Sequence, residues 1–242
     1  MSGYTWDKYE IKKLIGSGKK GEVYQAFDPD MKKIVAIKRM PSIKRAKREA
    51  FIMKEICSHK YLPKFYHFFI EESHGHIVME WIDGATLRQR TPTNEQEALT
   101  ITLKILEALN HIHKIGFIHS DLNRGNVMLI KNNPEMLRLI DFECSQLMAD
   151  NKDHLQTNSK KKKTTFKITD SSTDERDDLL RVASLCVFLL IGKNRVTYHT
   201  LEEIDLKNNE LKSVLSRAMD PNKEKRYRTA IELMEALQPF LT

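Results

Sequence analysis

The sequence predicts an α+β protein in two parts: a small β-rich N-terminal lobe with one main helix, then a larger, mainly helical lobe. Two observations predict it. From Tyr9 to Val78 the apolar residues fall mostly in short alternating runs broken by Gly, Pro and Asp. After Asp83-Gly84 the apolar period changes to that of helices. The first lobe is expected over 1–79, a connector over 80–84 and the second lobe over 85–242, together one domain. With 242 residues and an ordinary 40% apolar content, the chain can bury a core without disulfides or metals.

Tyr9 to Ile15 alternates before a glycine-rich turn, Glu22 to Phe27 alternates after it, and Asp28-Pro29-Asp30 ends that strand. Ile34 to Lys38 is a third strand, and Pro41-Ser42 opens a helix. His67 to Glu71 and His76 to Glu80 pair as a hairpin across Ser73-His74-Gly75. In the second lobe, Glu95 to Lys114 has helical periodicity and ends near Gly116. Lys152 to Asp174 is polar and reads as a loop, with a basic run from Lys160 to Lys163. Leu179 to Ile191 is nearly all apolar, a central buried helix. Leu211 to Met219 and Thr229 to Leu241 close the chain as amphipathic helices.

Composition excludes several classes. Cys57, Cys144 and Cys186 form no CxxC pair or disulfide framework, which suits a reducing, cytoplasmic setting. The first ten residues lack the features of a signal peptide, and the apolar stretch Val182 to Ile191 is about half of what a membrane span needs. The net charge of +7 could draw acidic partners, but a solvated lysine-rich surface accounts for it, and no nucleic-acid partner is expected.

Gly16-Ser17-Gly18-Lys19-Lys20-Gly21-Glu22-Val23 lies between two strands. Glycines let backbone N–H groups approach a polyphosphate, although a tight hairpin without ligand shows the same residues. No helix follows, so this is not a dinucleotide fingerprint, and no Gly-Lys-Ser/Thr marks a P-loop. Val35-Ala36-Ile37-Lys38 then ends an apolar strand with a cation. From here the sequence resembles the protein kinases, whose first lobe carries a glycine-rich loop and a Val-Ala-Ile-Lys strand. The resemblance requires a carboxylate on the next helix to hold Lys38. Glu49 and Glu55 compete; Ile52, Met53 and Ile56 put Glu49 on the apolar face and turn Glu55 away.

Ile118 to Ile130 holds the strongest local signal. Asp121 and Asn126 stand five apart in a polar turn, His119-Ser120-Asp121-Leu122-Asn123-Arg124-Gly125-Asn126, between apolar segments. Such a turn can place a carboxylate beside an attacking hydroxyl and offer an amide oxygen to Mg²⁺. Fifteen residues after Asn126, Leu137 to Glu143 is a strand ending in Asp141. The resemblance makes Asp121 the catalytic base, Asn126 and Asp141 ligands of Mg²⁺ (or Mn²⁺), and His119 a packing residue beneath them. It also implies that Lys38 and Glu49 orient the phosphates of ATP held between the lobes. ATP contacts are implied for Ile15, Gly16, Ser17, Gly18, Lys19, Lys20, Gly21, Glu22, Val23, Ala36 and Lys38, and for Met79, Glu80 and Ile82 of the connector. Asp178, fourteen residues before Gly192, resembles the acid opening the family's central helix, and Asp220-Pro221 with Arg226-Tyr-Arg-Thr-Ala230 resembles the closing motif of bacterial serine/threonine kinases. Protein substrates follow from the same resemblance.

Four departures qualify it. Ser120 replaces the arginine that reads a phosphorylated activation loop, Asn123 replaces a lysine that steadies the γ-phosphate, and Glu143 replaces a glycine. No Ala-Pro-Glu lies between Asp141 and Asp178, so Arg226 is expected to lack its glutamate partner. Whether Arg124 substitutes for the lysine is open. The loops around Asp121 and Asp141 also resemble those of aminoglycoside and choline phosphotransferases, which is the second reading. A nucleotide-binding pseudokinase is the third, opposed by the presence of Lys38, Glu49, Asp121, Asn126 and Asp141 together. The hydroxyls Thr157, Ser159, Thr164, Thr165 and Thr169 beside the basic run suggest autophosphorylation. The paired histidines His74/His76 and His111/His113 fit no zinc framework and read as surface or packing residues.

Overall fold

The alternating N-terminal segment becomes an antiparallel sheet of six strands in the order β1-β2-β3-β4-β6-β5. Its strands are β1 (Thr5–Trp6), β2 (Tyr9–Gly18), β3 (Gly21–Asp28), β4 (Lys33–Met40), β5 (Phe65–Glu71) and β6 (His74–Glu80). A computed structural model describes residues 5–18, 20–90, 92–148, 173–193 and 196–241. The expected autophosphorylation loop and its basic run lie outside the described residues.

Register decides which side chains share a face. Val23 stands opposite Lys38, and Lys38 opposite Ile77; Gln25 stands opposite Ala36, and Ala36 opposite Met79. Directly opposed residues point the same way, so Val23, Ala36, Lys38 and Met79 lie on one face. The other face is a buried cluster of Trp6, Tyr9, Ala26, Val35, Ile37 and Val78, edged by Tyr24, Tyr66 and Phe69. Trp6 arrives on the two-residue strand β1, which is too short for periodicity to reveal.

Helix α1 (Ile43–Ile56) starts at Ser42, whose hydroxyl accepts the Arg45 N–H. It buries Ala46, Glu49, Ala50, Ile52, Met53 and Ile56. Its first turn holds no acid, and Lys44, Arg45, Lys47 and Arg48 oppose the helix dipole, so packing rather than propensity holds it. That packing is close at Gly75 in β6, where a Cβ would stand 2.3 Å from Ala46 Cβ. The expected hairpin turn at residues 73–75 is therefore corrected. Glu71 pairs with His74, and the turn is Glu72-Ser73, both with positive φ. Gly75 is a strand residue that lets the helix approach.

The second unit gathers residues from Gly84 onward together with His59–Tyr61. Leu139 N–H donates to Tyr61 O at 2.9 Å, and Lys60 pairs with Glu107 at 3.0 Å, which ties that short segment in. The first unit comprises the residues up to Ser58 and Leu62–Asp83. Helix α2 (Glu95–Lys114) has Asn94 as N-cap, acids in its first turn and basic residues in its last. Helix α3 (Glu175–Ile191) begins earlier than its apolar run: Asp174 and Asp177 form a capping box, and Gly192 ends it with φ 73°. Short α4 (Tyr198–Glu202), α5 (Asn209–Ala218) and α6 (Ala230–Leu237) follow.

Two small sheets position the polar turns. β9 (Val127–Ile130) pairs with β10 (Leu137–Leu139) and β7 (Gly84–Thr86); β8 (Phe117–Ile118) pairs with β11 (Gln146–Leu147). Residues 119–126 join β8 to β9, and residues 140–145 join β10 to β11. Two connections spanning the same pair of sheets run side by side.

Candidate active site

In the first unit, β4 carries Lys38 beside α1, and the buried face of α1 offers Glu49. Lys38 Nζ lies 2.8 Å from each Glu49 oxygen, with Glu49 only 2% exposed. Glu55 is exposed on the far side of the helix. A carboxylate this buried needs a cation, and both oxygens share one ammonium.

β2 continues through the glycine segment, with Gly16 opposite Val23, Ser17 opposite Glu22 and Gly18 opposite Gly21. The three glycines do different work. A Cβ on Gly21 would come within 2.4 Å of Arg39 O, whereas on Gly16 or Gly18 it would meet nothing within 4 Å. Internal packing requires Gly21, while Gly16 and Gly18 leave bare backbone toward open space. Ile15 is half exposed, Lys20 is at the hairpin tip, and Lys19 lies outside the described residues. Glu22 is held by Arg39 and the Tyr24 hydroxyl. Ala36 is buried; Val23, Met79 and Ile82 are half-buried. Glu80 N–H donates to Lys64 O at 2.8 Å, which removes that donor from the set available to a ligand.

In the second unit, Asp178 organises the polar turn from below. It is fully buried at the first turn of α3 and accepts N–H groups from His119 (2.8 Å) and Ser120 (3.0 Å) and the His113 imidazole (3.0 Å). Burial pushes its carboxyl up, but the His113 hydrogen bond and the backbone donors outweigh this and hold it below its ordinary value. Its grip fixes Ser120 at φ 64°, a left-handed conformation costly for a residue with a Cβ.

His119 links the two loops. Burial holds its imidazole below the ordinary value against the pull of Asp178 and Asp141, so it is neutral. Nδ1 lies 3.3 Å from the Asp121 N–H and accepts it; Nε2 is then the protonated nitrogen and donates to Ile140 O at 3.3 Å. Its ring also meets Phe142 edge-on at 5.3 Å. Ile140 N–H donates to Asn126 O at 2.8 Å, which sets Asp141 beside Asn126. Asp141 has φ 66°, the second strained residue of the site.

The Asp121 carboxylate sits between two amides. Asn123 Nδ2 lies 3.3 Å from Oδ1, and Asn126 Nδ2 lies 3.5 Å from Oδ2. Asn126 Nδ2 also donates to Asp121 O at 2.8 Å, which assigns its Oδ1 as an acceptor. An amide oxygen and the half-buried Asp141 carboxylate are hard oxygen donors of the kind that fits Mg²⁺, with nothing for softer metals.

Each departure has a physical outcome. Ser120 Oγ accepts from Gln146 Nε2 at 3.2 Å. Arg124 stacks its guanidinium 4.3 Å over the Phe188 ring. Glu143 is buried beside the site. Arg226, expected to lack the family's glutamate partner, meets an aspartate: Nη1 lies 3.4 Å from Asp177 Oδ1, and Nε donates to Asp220 O at 2.7 Å. Lys223 and Arg176 extend this into a network with Asp174, Asp177 and Glu224.

Sequence reasoning missed His113. Its signal was present, since Leu106, Leu109 and His113 follow the inward helical spacing, and a histidine on that stripe calls for a buried partner.

The protein kinase domain family matches residues 9–237 of the chain. Among curated proteins, serine/threonine-protein kinase PknB of Mycobacterium leprae is 28% identical over 94% of the chain. Serine/threonine-protein kinase D of Synechocystis is 31% identical over 59%, and a probable myosin light chain kinase of Dictyostelium discoideum is 28% identical over 90%. The matched part is 42%, 31% and 78% of these relatives' lengths, respectively. Among solved structures, the Mycobacterium tuberculosis PknI kinase domain matches with TM-score 0.71 at 22% identity, covering 99% of this chain and 98% of its own. This likeness shows the fold, and with the family match across nearly the whole chain it establishes that the chain belongs to the protein kinase domain family.

Proposed function

We propose that the chain transfers the γ-phosphate of ATP to serine or threonine hydroxyls of proteins. The observation that carries this is the Asp121 carboxylate, held by neutral neighbours beside two oxygen donors, Asn126 and Asp141. The names of the bacterial relatives support the serine/threonine class.

In this reading the bare backbone at Gly16 and Gly18 lies along the phosphates, and Lys38, fixed by Glu49, orients the α- and β-phosphates. Val23, Ala36 and Met79 present an apolar face to the adenine ring. Asn126 and Asp141 would hold Mg²⁺, which neutralises phosphate charge when bound. Asp121 orients the acceptor hydroxyl and takes its proton as the new O–P bond forms and ADP leaves. Positioning and charge supply most of the acceleration, so no covalent intermediate on the protein is needed.

Among the described residues no helix is long and apolar enough to cross a membrane. Three free cysteines, one of them buried, support a cytoplasmic setting.

The test is transfer from radiolabelled ATP to generic protein acceptors, with an aminoglycoside and choline in parallel. Label on serine or threonine of the proteins supports the reading. Label on the small molecules alone replaces it with small-molecule phosphotransfer.

A further inference from the structure

Asn123 stands where a lysine is expected, and its short side chain turns back onto its own loop. Its Oδ1 accepts the Gly125 N–H at 2.8 Å, which fixes the orientation of the amide. The NH₂ group therefore faces Asp121, donating to the backbone oxygen at 2.9 Å and to carboxylate Oδ1 at 3.3 Å. Asn126 approaches the other carboxylate oxygen, so each oxygen meets a different amide. Arg124, the nearest cation in sequence, is held over Phe188.

We propose that Asn123 is a positioning residue for phosphoryl transfer: its amide holds the Asp121 carboxylate in the orientation that meets the acceptor hydroxyl. This rests on the kinase reading above and deepens it. A lysine at this position would carry a charge out toward a phosphate; the asparagine acts on the base instead. A carboxylate held at one oxygen by Asn126 alone could still swing about its Cβ–Cγ bond. The Asn123 amide, at 3.3 Å the nearer of the two, adds a contact on the opposite oxygen that opposes this rotation, and a neutral donor does so without a competing cation. Misplacement of a reacting group by about 1 Å costs on the order of a hundredfold in rate, which sets the scale of the effect.

Asn123→Asp separates the two roles of the side chain. An aspartate still accepts the Gly125 N–H and closes the turn, but it has no N–H to give Asp121. Asn123→Ala removes both roles without adding charge. We expect Asn123→Asp to lose about tenfold to a hundredfold in kcat while KM for ATP stays within about twofold, with Asn123→Ala losing kcat at least as far. All proteins are compared at a temperature where circular dichroism shows them folded, so lost stability does not enter kcat. Wild-type kcat in either variant overturns the proposal and leaves Asn123 a turn-closing residue. A rise in KM for ATP with kcat unchanged also overturns it. Absence of transfer by the wild-type protein overturns the kinase reading and this proposal together, whereas an active wild type with an equally active Asn123→Asp overturns the proposal alone.

Discussion

Removing the Asp178 carboxylate should unfasten the polar turn that carries Asp121. In Asp178→Ala, three buried donors lose their acceptor: the N–H groups of His119 and Ser120 and the His113 imidazole. Each buried donor left unsatisfied costs about 1–3 kcal/mol. Three such donors, each in the lower half of that range, come to about 4 kcal/mol. For a chain of this size that corresponds to a fall of about 8–16 °C in the unfolding midpoint. Ser120 would also lose what holds it in its left-handed conformation, so the turn relaxes and transfer falls even where the fold survives. Asp178→Asn should be milder, since its oxygen still accepts one backbone N–H. Urea titration followed by tryptophan fluorescence and circular dichroism measures the loss, and steady-state transfer at low temperature measures the effect on rate. A loss below about 1 kcal/mol for Asp178→Ala would refute the claim that this carboxylate organises the loop.

His76 is buried between the rings of Phe69 (4.6 Å) and Trp6 (4.8 Å), and burial, with Arg39 and His74 nearby, lowers its pKa from 6.5 to about 4. The unfolded chain therefore binds this proton first as pH falls, and stability drops between pH 6.5 and about 4, by about 2 kcal/mol at pH 5 and about 3 kcal/mol at pH 3.5. His76→Phe should lack that part of the pH dependence, and parallel denaturation profiles for the two proteins would contradict it. Gly75→Ala should drive α1 away from β6, costing about 1–3 kcal/mol and weakening the Lys38–Glu49 pair, with Ala46→Gly restoring both. Failure of the second substitution to rescue transfer and stability would show that the contact between these two residues is not the cause. Asp177→Asn should weaken the hold on Arg226 and Lys223 and lower stability by about 1 kcal/mol or more in a urea titration; no change would place the network among solvent-screened surface pairs.

Local pattern was enough for features set by neighbours in sequence. The α2 range follows from sustained periodicity between Asn94 and a basic end. The phase of α1 separates Glu49 from Glu55, and the structure pairs Lys38 with Glu49. Ser73-His74-Gly75 looked like a turn because glycine usually marks one, yet Glu72 and Ser73 accept positive φ and Gly75 answers to a helix almost thirty residues away. The His113–Asp178 and Arg226–Asp177 contacts join residues 65 and 49 apart, and no local period carries such information. Asn123 shows a subtler limit. Its departure from the lysine pattern was visible, but the direction in which its amide points depends on a backbone N–H two residues on.

In the proposed reaction Asp121 takes the proton of an incoming hydroxyl. The most direct test is transfer of radiolabelled phosphate by Asp121→Asn, alongside nucleotide affinity measured by fluorescence. Transfer is expected to fall about a thousandfold, with ATP affinity within about threefold of wild type. Transfer at the wild-type rate would contradict it.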